Sequence, residues 1–412
     1  MGYCAIIFEG SLKINKTASA LLMASVLWSL FFLYGPLTTA KVTEELSHYL
    51  GEVGQIIFFL LGAMTLVELI DAHRGFTIIT DLIRTRKKQK ILWLVGFMTF
   101  FLSSLLDNLT TTIVMTSLLR KLVREKKERW LLGASVVVAA NAGGAWTPIG
   151  DVTTTMLWIG HQVTTWFIMK TLFFPSLVCL LISLTVLGKE LKGSYEVLLE
   201  KEGEMIEPGA YPIFFLGLIA LLFVPLAKEW IGLPPFMGIL LGLGALWLVT
   251  DLVHKQDEKR SYLQVPHILT RIDTSGVLFF LGILLAINAL EIMGLLALLA
   301  SYFQAHLPSF SFVALVMGFL SSIIDNVPLV AATMGMYPLA QYPTNDVLWA
   351  MIAYTAGTGG SLLLIGSAAG VAWMGIEKVD FLWYFKKVSW GALLGYLGGF
   401  GTYLFLRFVG IA

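Results

Sequence analysis

The sequence has few charged residues and almost no cysteine. Only 13% of its 412 residues are charged, against about a quarter in an average soluble domain, whereas 57% are hydrophobic and the mean hydropathy is +0.80. Its two cysteines, Cys4 and Cys179, lie far apart in apolar segments, which indicates neither a disulfide framework nor a metal motif. Residues 1–8 lack the length and basic start of a cleavable signal peptide. We therefore expect a polytopic membrane protein whose partner is the lipid bilayer, with no nucleic-acid partner.

Apolar runs long enough to cross a bilayer, which takes about 20 residues per helix, recur along the chain. They predict an all-α fold with membrane-embedded segments near 17–34, 53–70, 131–159, 167–187, 211–227, 235–250, 276–292, 346–375 and 388–406.

Basic residues, which collect on the cytoplasmic side of membranes, flank the apolar stretch 91–119 at both ends. One cluster precedes it and a second follows directly: Arg84, Arg86, Lys87, Lys88, Lys90, then Arg120, Lys121, Arg124, Lys126, Lys127 and Arg129. A single span cannot begin and end on one side, and the stretch is too short to cross twice. The pattern predicts a re-entrant hairpin that enters from the cytoplasm, with Asp107 and Asn108 near its tip.

A second apolar stretch, 309–337, carries Asp325 and Asn326 near its middle, in SSIIDN, which nearly repeats SSLLDN at 103–108. No Lys or Arg occurs between residues 272 and 377, so we predict a hairpin that enters from the outside. In this topology the C-terminus is outside, and every Lys and Arg is inside except Lys41, Lys170, Lys228 and Arg407.

More of the chain repeats than the hairpins. ANAGGAWTPIGDVTTTMLWIG (140–160) aligns with AGTGGSLLLIGSAAGVAWMG (356–375), ASALLMASVLW (18–28) with MGILLGLGALW (237–247), and IIFFLLG (56–62) with VLFFLGI (277–283). We predict an inverted-topology repeat, as in many secondary transporters. Its halves are residues 1–188 and 211–412, joined by a charged cytoplasmic linker at 189–210. The second half opens with the full span 211–227 where the first has only MGYCAIIF, which leaves open a truncated start or an incomplete helix.

The spans 131–159 and 346–375 contain residues that interrupt helices. Backbone breaks inside a membrane are tolerated only where the backbone is buried in protein or lines a cavity. The two spans are therefore predicted to be discontinuous helices that meet the hairpin tips at one site, with the breaks at Gly143, Gly144, Thr147, Pro148, Gly150, Gly359, Gly360 and Gly366.

Three carboxylates, Asp107, Asp151 and Asp325, lie deep in these apolar segments. Burying one acid at mid-bilayer costs about 2.5–3.5 kcal/mol, so three cost on the order of 10 kcal/mol unless something offsets the charge. No Lys or Arg is nearby in sequence, so the natural counter-charge is mobile: a cation or protons. Carboxylate, amide and hydroxyl oxygens suit Na⁺-like ions. The predicted cation- and proton-binding residues are Asp107, Asn108, Thr110, Thr111, Asp151, Thr154, Asp325 and Asn326.

Simpler structural roles compete with these interpretations. Aspartate is a good N-cap, so Asp107 and Asp325 are also read as caps of the second hairpin arms. Asp151 has no aspartate as its repeat partner, because Ser367 occupies the equivalent position. This break in the repeat favours a specific role for Asp151 in the binding site. Glu68, Asp71 and His73 are candidate proton-access residues, with an ion pair near Arg74 as the alternative.

Four motifs in chain order resemble the NhaD-type sodium/proton antiporters of the ion transporter superfamily: VELIDAHRGF (67–76), SSLLDNLTTTIVM (103–115), GGAWTPIGDVTTTMLWI (143–159) and SSIIDNVPLVAA (321–332). The resemblance implies alternating access by an elevator-type transport unit on a dimerising scaffold, hence a homodimer. We predict exchange of Na⁺, or Li⁺, for protons, with Na⁺ held by Asp107, Asp151 and Asp325, no cofactor and no enzymatic activity. The expected location is the inner membrane of a bacterium or an equivalent organellar membrane.

Related carriers and other classes provide the alternatives. The symporters of divalent organic anions that share this fold carry Ser-Asn-Thr at both tips, and Asp107 and Asp325 stand where their Ser would be, which argues against an anion. An arsenite or antimonite carrier stays open, although trivalent arsenic favours thiols and neither cysteine falls in the motifs. An intramembrane aspartyl protease using Asp107 and Asp325 lacks the Gly-x-Gly-Asp signature. Opposed hairpins suit alternating access better than an open channel.

Overall fold

The computed structural model describes residues 2–7, 14–77, 83, 85–195, 207–255, 258–307 and 309–410, most of which are helical. Three features of the sequence interpretation lie outside these residues: Arg84, residues 196–206 of the linker, and the side chain of Cys4. The linker's two ends, 189–195 and 207–210, are described, and Arg260 from a later segment pairs with Glu207 at 3.2 Å.

The described residues form nineteen α-helices and one short 3₁₀ helix, Glu258–Leu263. The α-helices are α1 Gly2–Ile7, α2 Lys16–Tyr34, α3 Thr39–Ala72, α4 Lys88–Ser103, α5 Asn108–Leu122, α6 Lys126–Gly144, α7 Val152–Ile159, α8 Thr165–Gly188, α9 Ala210–Ile231, α10 Pro235–His254, α11 Val265–Ile268, α12 Thr274–Ile292, α13 Leu295–His306, α14 Phe310–Ser321, α15 Asn326–Met336, α16 Val347–Gly359, α17 Ala368–Glu377, α18 Phe381–Lys387 and α19 Ser389–Phe408.

Six of the described helices are individually long and apolar enough to cross a membrane: α2, α3, α8, α9, α10 and α12. The all-α membrane class predicted from composition is therefore confirmed. Helix α3 begins at Thr39, well before the predicted span at 53–70. Its first turns carry Lys41, Glu44, Glu45 and Glu52 and are mostly exposed, so hydropathy alone missed this polar extension of an apolar helix.

Helix α13 was not predicted as an element of its own. It begins after Gly294, whose φ of 73° lies in the left-handed region that favours glycine. Leu298 is 68% exposed and Leu295 is 47% exposed, so the helix buries little of its surface within the chain. At twelve residues it is too short to span a bilayer by itself, which is why a search for spans did not detect it.

Breaks interrupt both of the spans, 131–159 and 346–375, that the sequence predicts to be discontinuous. Residues 145–151 separate α6 from α7, and residues 360–367 separate α16 from α17. The first halves are buried on all sides, from Leu131 to Gly144 in α6 and from Leu348 to Gly359 in α16. A helix that is apolar all round belongs in the interior, and these two helices form the centre of the molecule.

The helices pack into two groups. In the first group α2 packs against α12, α9 against α10, and α10 and α12 against α3. The second group contains the interrupted segments, with α6 packed against α4 and α5, α16 against α14, and α8 against α19. Helix α12 of the first group also packs against α15 of the second, which brings the second Asp-Asn tip close to the first group.

Polar contacts between described residues join the two groups. The Lys16 ammonium group on α2 lies 2.9 Å from an Asp325 carboxylate oxygen. Lys228 on α9 donates to the backbone oxygen of Trp158 at 2.5 Å, and the ammonium group lies 4.3 Å from the centre of the Trp158 ring. Glu229 accepts a hydrogen bond from the backbone N–H of Thr165 at 3.0 Å.

Candidate functional site

The two Asp-Asn tips lie where one helix ends and another begins. Residues 104–107 separate α4 from α5, and residues 322–325 separate α14 from α15. Asp107 and Asp325 are the N-caps of α5 and α15, so both carboxylates accept hydrogen bonds from backbone N–H groups at the start of the helix. The capping role read from the sequence is present at both tips, and it leaves one oxygen of each carboxylate available for other partners.

That second oxygen has a different partner at each tip. Asp107 Oδ1 accepts from the Thr110 backbone N–H at 2.8 Å, and Oδ2 accepts from the Thr110 hydroxyl at 2.6 Å. Asp325 Oδ1 accepts from the Val327 backbone N–H at 3.2 Å, and Oδ2 faces the Lys16 ammonium group at 2.9 Å. Lysine therefore takes the place at the second tip that a threonine hydroxyl fills at the first.

The expectation that no basic residue neutralises the buried acids is wrong for Asp325. Its partner Lys16 lies 309 residues away in the chain, so no local reading of the sequence connects them. Among the described residues, no Lys or Arg side chain pairs with Asp107 or Asp151. For these two carboxylates the counter-charge is still unassigned.

Asp151 lies at the centre of the site and is only 2% exposed. It caps α7 through a bond from the Thr153 backbone N–H to Oδ1 at 2.9 Å. Its other oxygen, Oδ2, accepts from the Asn108 amide at 2.9 Å and from the Asn326 amide at 3.4 Å. One buried carboxylate oxygen thus links the first tip to the second.

Four helix N-termini meet in this region, capped by Asp107, Asp151, Asp325 and Ser367. A helix N-terminus stabilises a nearby carboxylate by about 0.3–1 kcal/mol, and by up to about 2 kcal/mol when partly buried. Burial at mid-bilayer costs about 2.5–3.5 kcal/mol per acid. The helix dipoles therefore offset part of the burial cost, and a positive charge near Asp151 is still required to offset the rest.

The threonines of the site fall into two classes. Thr110 and Thr154 already use their hydroxyls: Thr110 bonds to Asp107, and Thr154 donates to the Asp151 backbone oxygen at 2.9 Å. Thr111 and Thr153 are fully buried. Among the described residues the Thr111 hydroxyl has no hydrogen-bond partner, whereas the Thr153 hydroxyl lies against the Asp151 carboxylate. A buried hydroxyl without a partner is costly, so among the three predicted threonines Thr111 has a hydroxyl that can still coordinate, whereas those of Thr110 and Thr154 are already used.

The glycines predicted at the breaks are sites of close backbone approach. A Cβ atom at Gly150 would lie 2.6 Å from the Ser103 backbone oxygen, and one at Gly366 would lie 2.5 Å from the Ser321 backbone oxygen. Gly144 and Gly360 likewise lie against the backbone of Gly150 and Gly366, while Gly143 and Gly359 lie against that of Phe100 and Gly318. A side chain at these positions would push the tip segments away from the broken helices.

Hydrogen bonds also hold the first tip against the break in the first broken helix. The Thr147 hydroxyl donates to the Ser104 backbone oxygen at 2.6 Å, and the Pro148 backbone oxygen accepts from the Thr155 hydroxyl at 2.9 Å. The Ser103 hydroxyl donates to the Ala140 backbone oxygen at 2.6 Å. At the second tip, the Ser321 hydroxyl makes the corresponding bond to the Ala356 backbone oxygen at 2.7 Å, and Ser322 bonds back to its own helix.

Asn141 is a site residue that the sequence interpretation missed. It is fully buried, and its side-chain oxygen accepts from the Asn108 amide at 3.1 Å. Its own amide donates to the Ser361 hydroxyl at 2.8 Å and to the Ser367 hydroxyl at 2.9 Å. The sequence feature that could have identified Asn141 is a polar amide inside the apolar run that precedes Gly143 and Gly144. Because an amide is uncharged, it stands out less than a buried carboxylate does.

The proposed proton-access residues lie at the end of α3 and, within the described part of the chain, make no hydrogen bond or ion pair with Asp107, Asp151 or Asp325. Glu68 pairs with Arg271 at 3.9 Å, which comes from a different part of the chain than the neighbouring Arg74 that the sequence suggested as a partner. Asp71 is exposed. His73 is fully buried, and its Nε2 atom lies 2.9 Å from Nε2 of His254, which is 2% exposed.

A cavity of about 110 Å³ connects the tips and the first broken helix. Its polar lining comprises Lys16, Asp107, Asn108, Asp151, Thr155, Asp273, Asp325 and Asn326. This volume suits a small ion with a few waters. Within the described part of the chain, no three His, Cys, Asp or Glu side chains converge on a point that could hold a metal ion. The cap bonds orient the three predicted carboxylates separately along the cavity, and they do not form one three-carboxylate shell here.

Comparison with known proteins gives three findings. The family model described as citrate transporter matches residues 3–357. Sodium/proton antiporter 1 of Arabidopsis thaliana is 55% identical over 411 residues, which cover 98% of this chain and 70% of the relative. The Na⁺/H⁺ antiporter NhaD of Alkalimonas amylolytica is 31% identical over 443 aligned positions, covering 99% of this chain and 89% of the relative.

A solved structure shares the fold. The crystal structure of the YdaH transporter from Alcanivorax borkumensis superposes with a TM-score of 0.59, covering 96% of this chain and 99% of that chain, at 13% sequence identity. At this identity the likeness concerns the arrangement of the helices alone.

Proposed function

The chain belongs to the family of the citrate transporter model and to the NhaD-type sodium/proton antiporters, and from this membership we propose that it exchanges Na⁺, or Li⁺, for protons across a membrane. Relatives named sodium/proton antiporters match at 55% and 52% identity over 98% of the chain. The proposal makes the protein a secondary transporter without a cofactor, whose cations are cargo.

The observation that carries this proposal is the environment of Asp151. Its carboxylate is buried, lines the cavity and has no basic partner among the described residues. The Asn108 and Asn326 amide N–H groups both donate to Oδ2, so this carboxylate oxygen is held from both tips, and a cation that binds it takes the place of these donors. Carboxylate, amide and hydroxyl oxygens are suitable ligands for a hard monovalent ion.

Proton coupling follows from the chemistry of such a carboxylate. A buried carboxylate is stabilised either by a proton or by a bound cation, so a cation that binds displaces the proton and a proton that binds displaces the cation. We assign Na⁺ to Asp151, with Asn108 and Asn326 as neighbours. Asp107 and Asp325 flank this position and contribute negative charge at the two tips.

The transport cycle that we propose is alternating access of the elevator type, on an inverted repeat of residues 1–188 and 211–412. Two observations support it. The Ser103–Ala140 and Ser321–Ala356 hydrogen bonds recur at equivalent positions of the halves, and the helices pack into two groups with the tips in one of them. We propose that the tip segments are re-entrant hairpins from opposite sides, that the first group forms a homodimer, and that the C-terminus is outside.

A citrate-like substrate, which the name of the family model brings to mind, fits the cavity poorly. Four aspartates line it, Asp107, Asp151, Asp273 and Asp325, with Lys16 as the basic residue. Like charges in a low-dielectric site repel strongly, so a tricarboxylate would be excluded. Arsenite is not favoured either, because Cys179 is buried in α8 and does not line the cavity.

The test is a transport assay with purified protein in proteoliposomes that contain a pH-sensitive dye. We expect Na⁺ or Li⁺ to collapse an imposed pH gradient and citrate to have no effect. Asp151→Asn should abolish the response, because asparagine keeps the helix cap but removes the charge. Asp346→Asn is the matched control, since Asp346 caps α16 in the same way but does not line the cavity.

Either of two results would refute the proposal. One is a wild-type protein that ignores Na⁺ and Li⁺ at every pH tested. The other is an Asp151→Asn variant that exchanges as fast as wild type and Asp346→Asn.

A further inference from the structure

The ion pair between Lys16 and Asp325 places the positive charge of a side chain at the site where we propose that a transported cation binds. The two side chains are 31% and 15% exposed, and the Nζ–Oδ2 distance is 2.9 Å. The ammonium group also lies 4.5 Å from the centre of the Phe279 ring on α12, where an aromatic face attracts a cation. The Asp325 carboxylate and the Phe279 ring, both of which line the cavity, thus help to position Lys16 at its edge.

One difference between the two tips, Thr110 at the first and Pro328 at the second, explains why a lysine pairs with the aspartate of the second tip. At the first tip the Thr110 hydroxyl holds Oδ2 of Asp107. The equivalent position at the second tip, Pro328, follows the cap Asp325 by the same three residues, and proline has neither a hydroxyl nor a backbone N–H. Oδ2 of Asp325 has no donor from its own helix start, and Lys16 supplies one from α2.

We propose that Lys16 is a tethered competitor of the transported cation, a role that rests on the function proposed above. Its ammonium group holds Oδ2 of Asp325 when Asp151 carries no Na⁺, and a Na⁺ that binds at Asp151 and reaches the Asp325 carboxylate in the same cavity displaces it. A sodium ion and an ammonium group carry the same charge, and one carboxylate oxygen does not hold both at hydrogen-bonding distance because the like charges repel.

The competition has a structural consequence because the partners belong to different helix groups. Lys16 is the first residue of α2, and Asp325 is the cap of α15. With the lysine bound, the second tip is tied to the first group; with Na⁺ bound, this tie is released. Cation binding therefore frees the tip segment to move, and an unloaded tip is held in place.

The primary experiment compares the apparent KM for Na⁺ in proteoliposomes for wild type, Lys16→Met and Lys16→Arg. Removing the competitor should lower the KM of Lys16→Met by about tenfold, which corresponds to about 1.4 kcal/mol of binding free energy. Lys16→Arg keeps a permanent positive charge, so its KM should be no lower than that of wild type. Lys41→Met controls for loss of one positive charge, because Lys41 is exposed on α3.

A purely structural ion pair would behave differently: Lys16→Met would then lose kcat or protein yield while its KM for Na⁺ stayed the same or rose. That outcome overturns the competitor role and leaves the proposed function standing. A wild-type protein without Na⁺-driven exchange overturns both.

A second measurement uses the wild-type protein and does not depend on any variant folding. Na⁺ should raise the rate at which an amine-acylating reagent modifies Lys16 several-fold relative to choline, as read by peptide mass spectrometry. Lys41 in the same sample is the internal reference and should not respond. Equal modification of Lys16 in Na⁺ and choline would overturn the displacement.

Discussion

Replacing Asn141 by alanine tests whether its side-chain amide, which joins the two halves of the site, contributes to protein stability and to cation binding. The change removes three hydrogen bonds, to Asn108 at 3.1 Å, to Ser361 at 2.8 Å and to Ser367 at 2.9 Å. Each buried hydrogen bond contributes about 1 kcal/mol net, so the loss is about 3 kcal/mol. Additional cost from the space left by the amide is limited, because the side chain is small.

The functional effect of Asn141→Ala should exceed its effect on yield. Asn108 then keeps its bond to Asp151 but loses the partner that fixes its second amide hydrogen, so the cation site loosens. We expect a lower melting temperature and a higher KM for Na⁺, measured by thermal unfolding in detergent and by exchange in proteoliposomes. Ser135→Ala is the control on the same helix, because that buried hydroxyl bonds only to the Leu132 backbone oxygen. Equal stability and equal KM in the two variants would refute the reasoning.

Three further changes test other parts of the structure. Glu377→Gln removes the buried carboxylate that pairs with two arginines. The variant should lose about 3–5 kcal/mol of stability and unfold at a lower temperature, and an unchanged melting curve would contradict this expectation. Gly366→Ala should abolish exchange because the added Cβ atom would meet backbone atoms. Gly375→Ala is the control, since nothing lies within 4 Å of a Cβ atom there, and it should behave as wild type. Equal exchange activities of the two variants would contradict the close packing at Gly366. His254→Ala leaves the buried Nε2 of His73 without its His254 partner. The free energy of unfolding should fall by about 1–3 kcal/mol, and the KM for Na⁺ should not change. A shifted KM would instead place the histidine pair in the transport path.

The parts of the site that sequence reasoning found are those where a polar group stands out against apolar surroundings. Asp107 and Asp325 were recognised because each interrupts a long apolar run, and Asp151 because it breaks the repeat at Ser367. All three line the same cavity. Burial of charge in a membrane segment is costly enough to stand out in sequence alone.

What sequence reasoning missed depends on contacts between distant parts of the chain. Nothing in the residues around Lys16 indicates a partner 309 positions away. Asn141 is uncharged, so its burial has a modest cost and gives a weak signal. Helix α13 and the first turns of α3 were missed because both depart from the long apolar pattern on which the prediction of spans relied.

Lys228 contacts Trp158 in two ways, through a hydrogen bond to the backbone oxygen and through the face of the ring. Every residue type supplies that oxygen, so mutation at position 158 cannot remove the acceptor, although it can remove the aromatic ring. The hydrogen-bonded part of this connection between the two helix groups therefore depends on residue 228 and not on the identity of residue 158. Variation at this single position on α9 would change how firmly α9 holds α7 without altering the polar residues of the cavity.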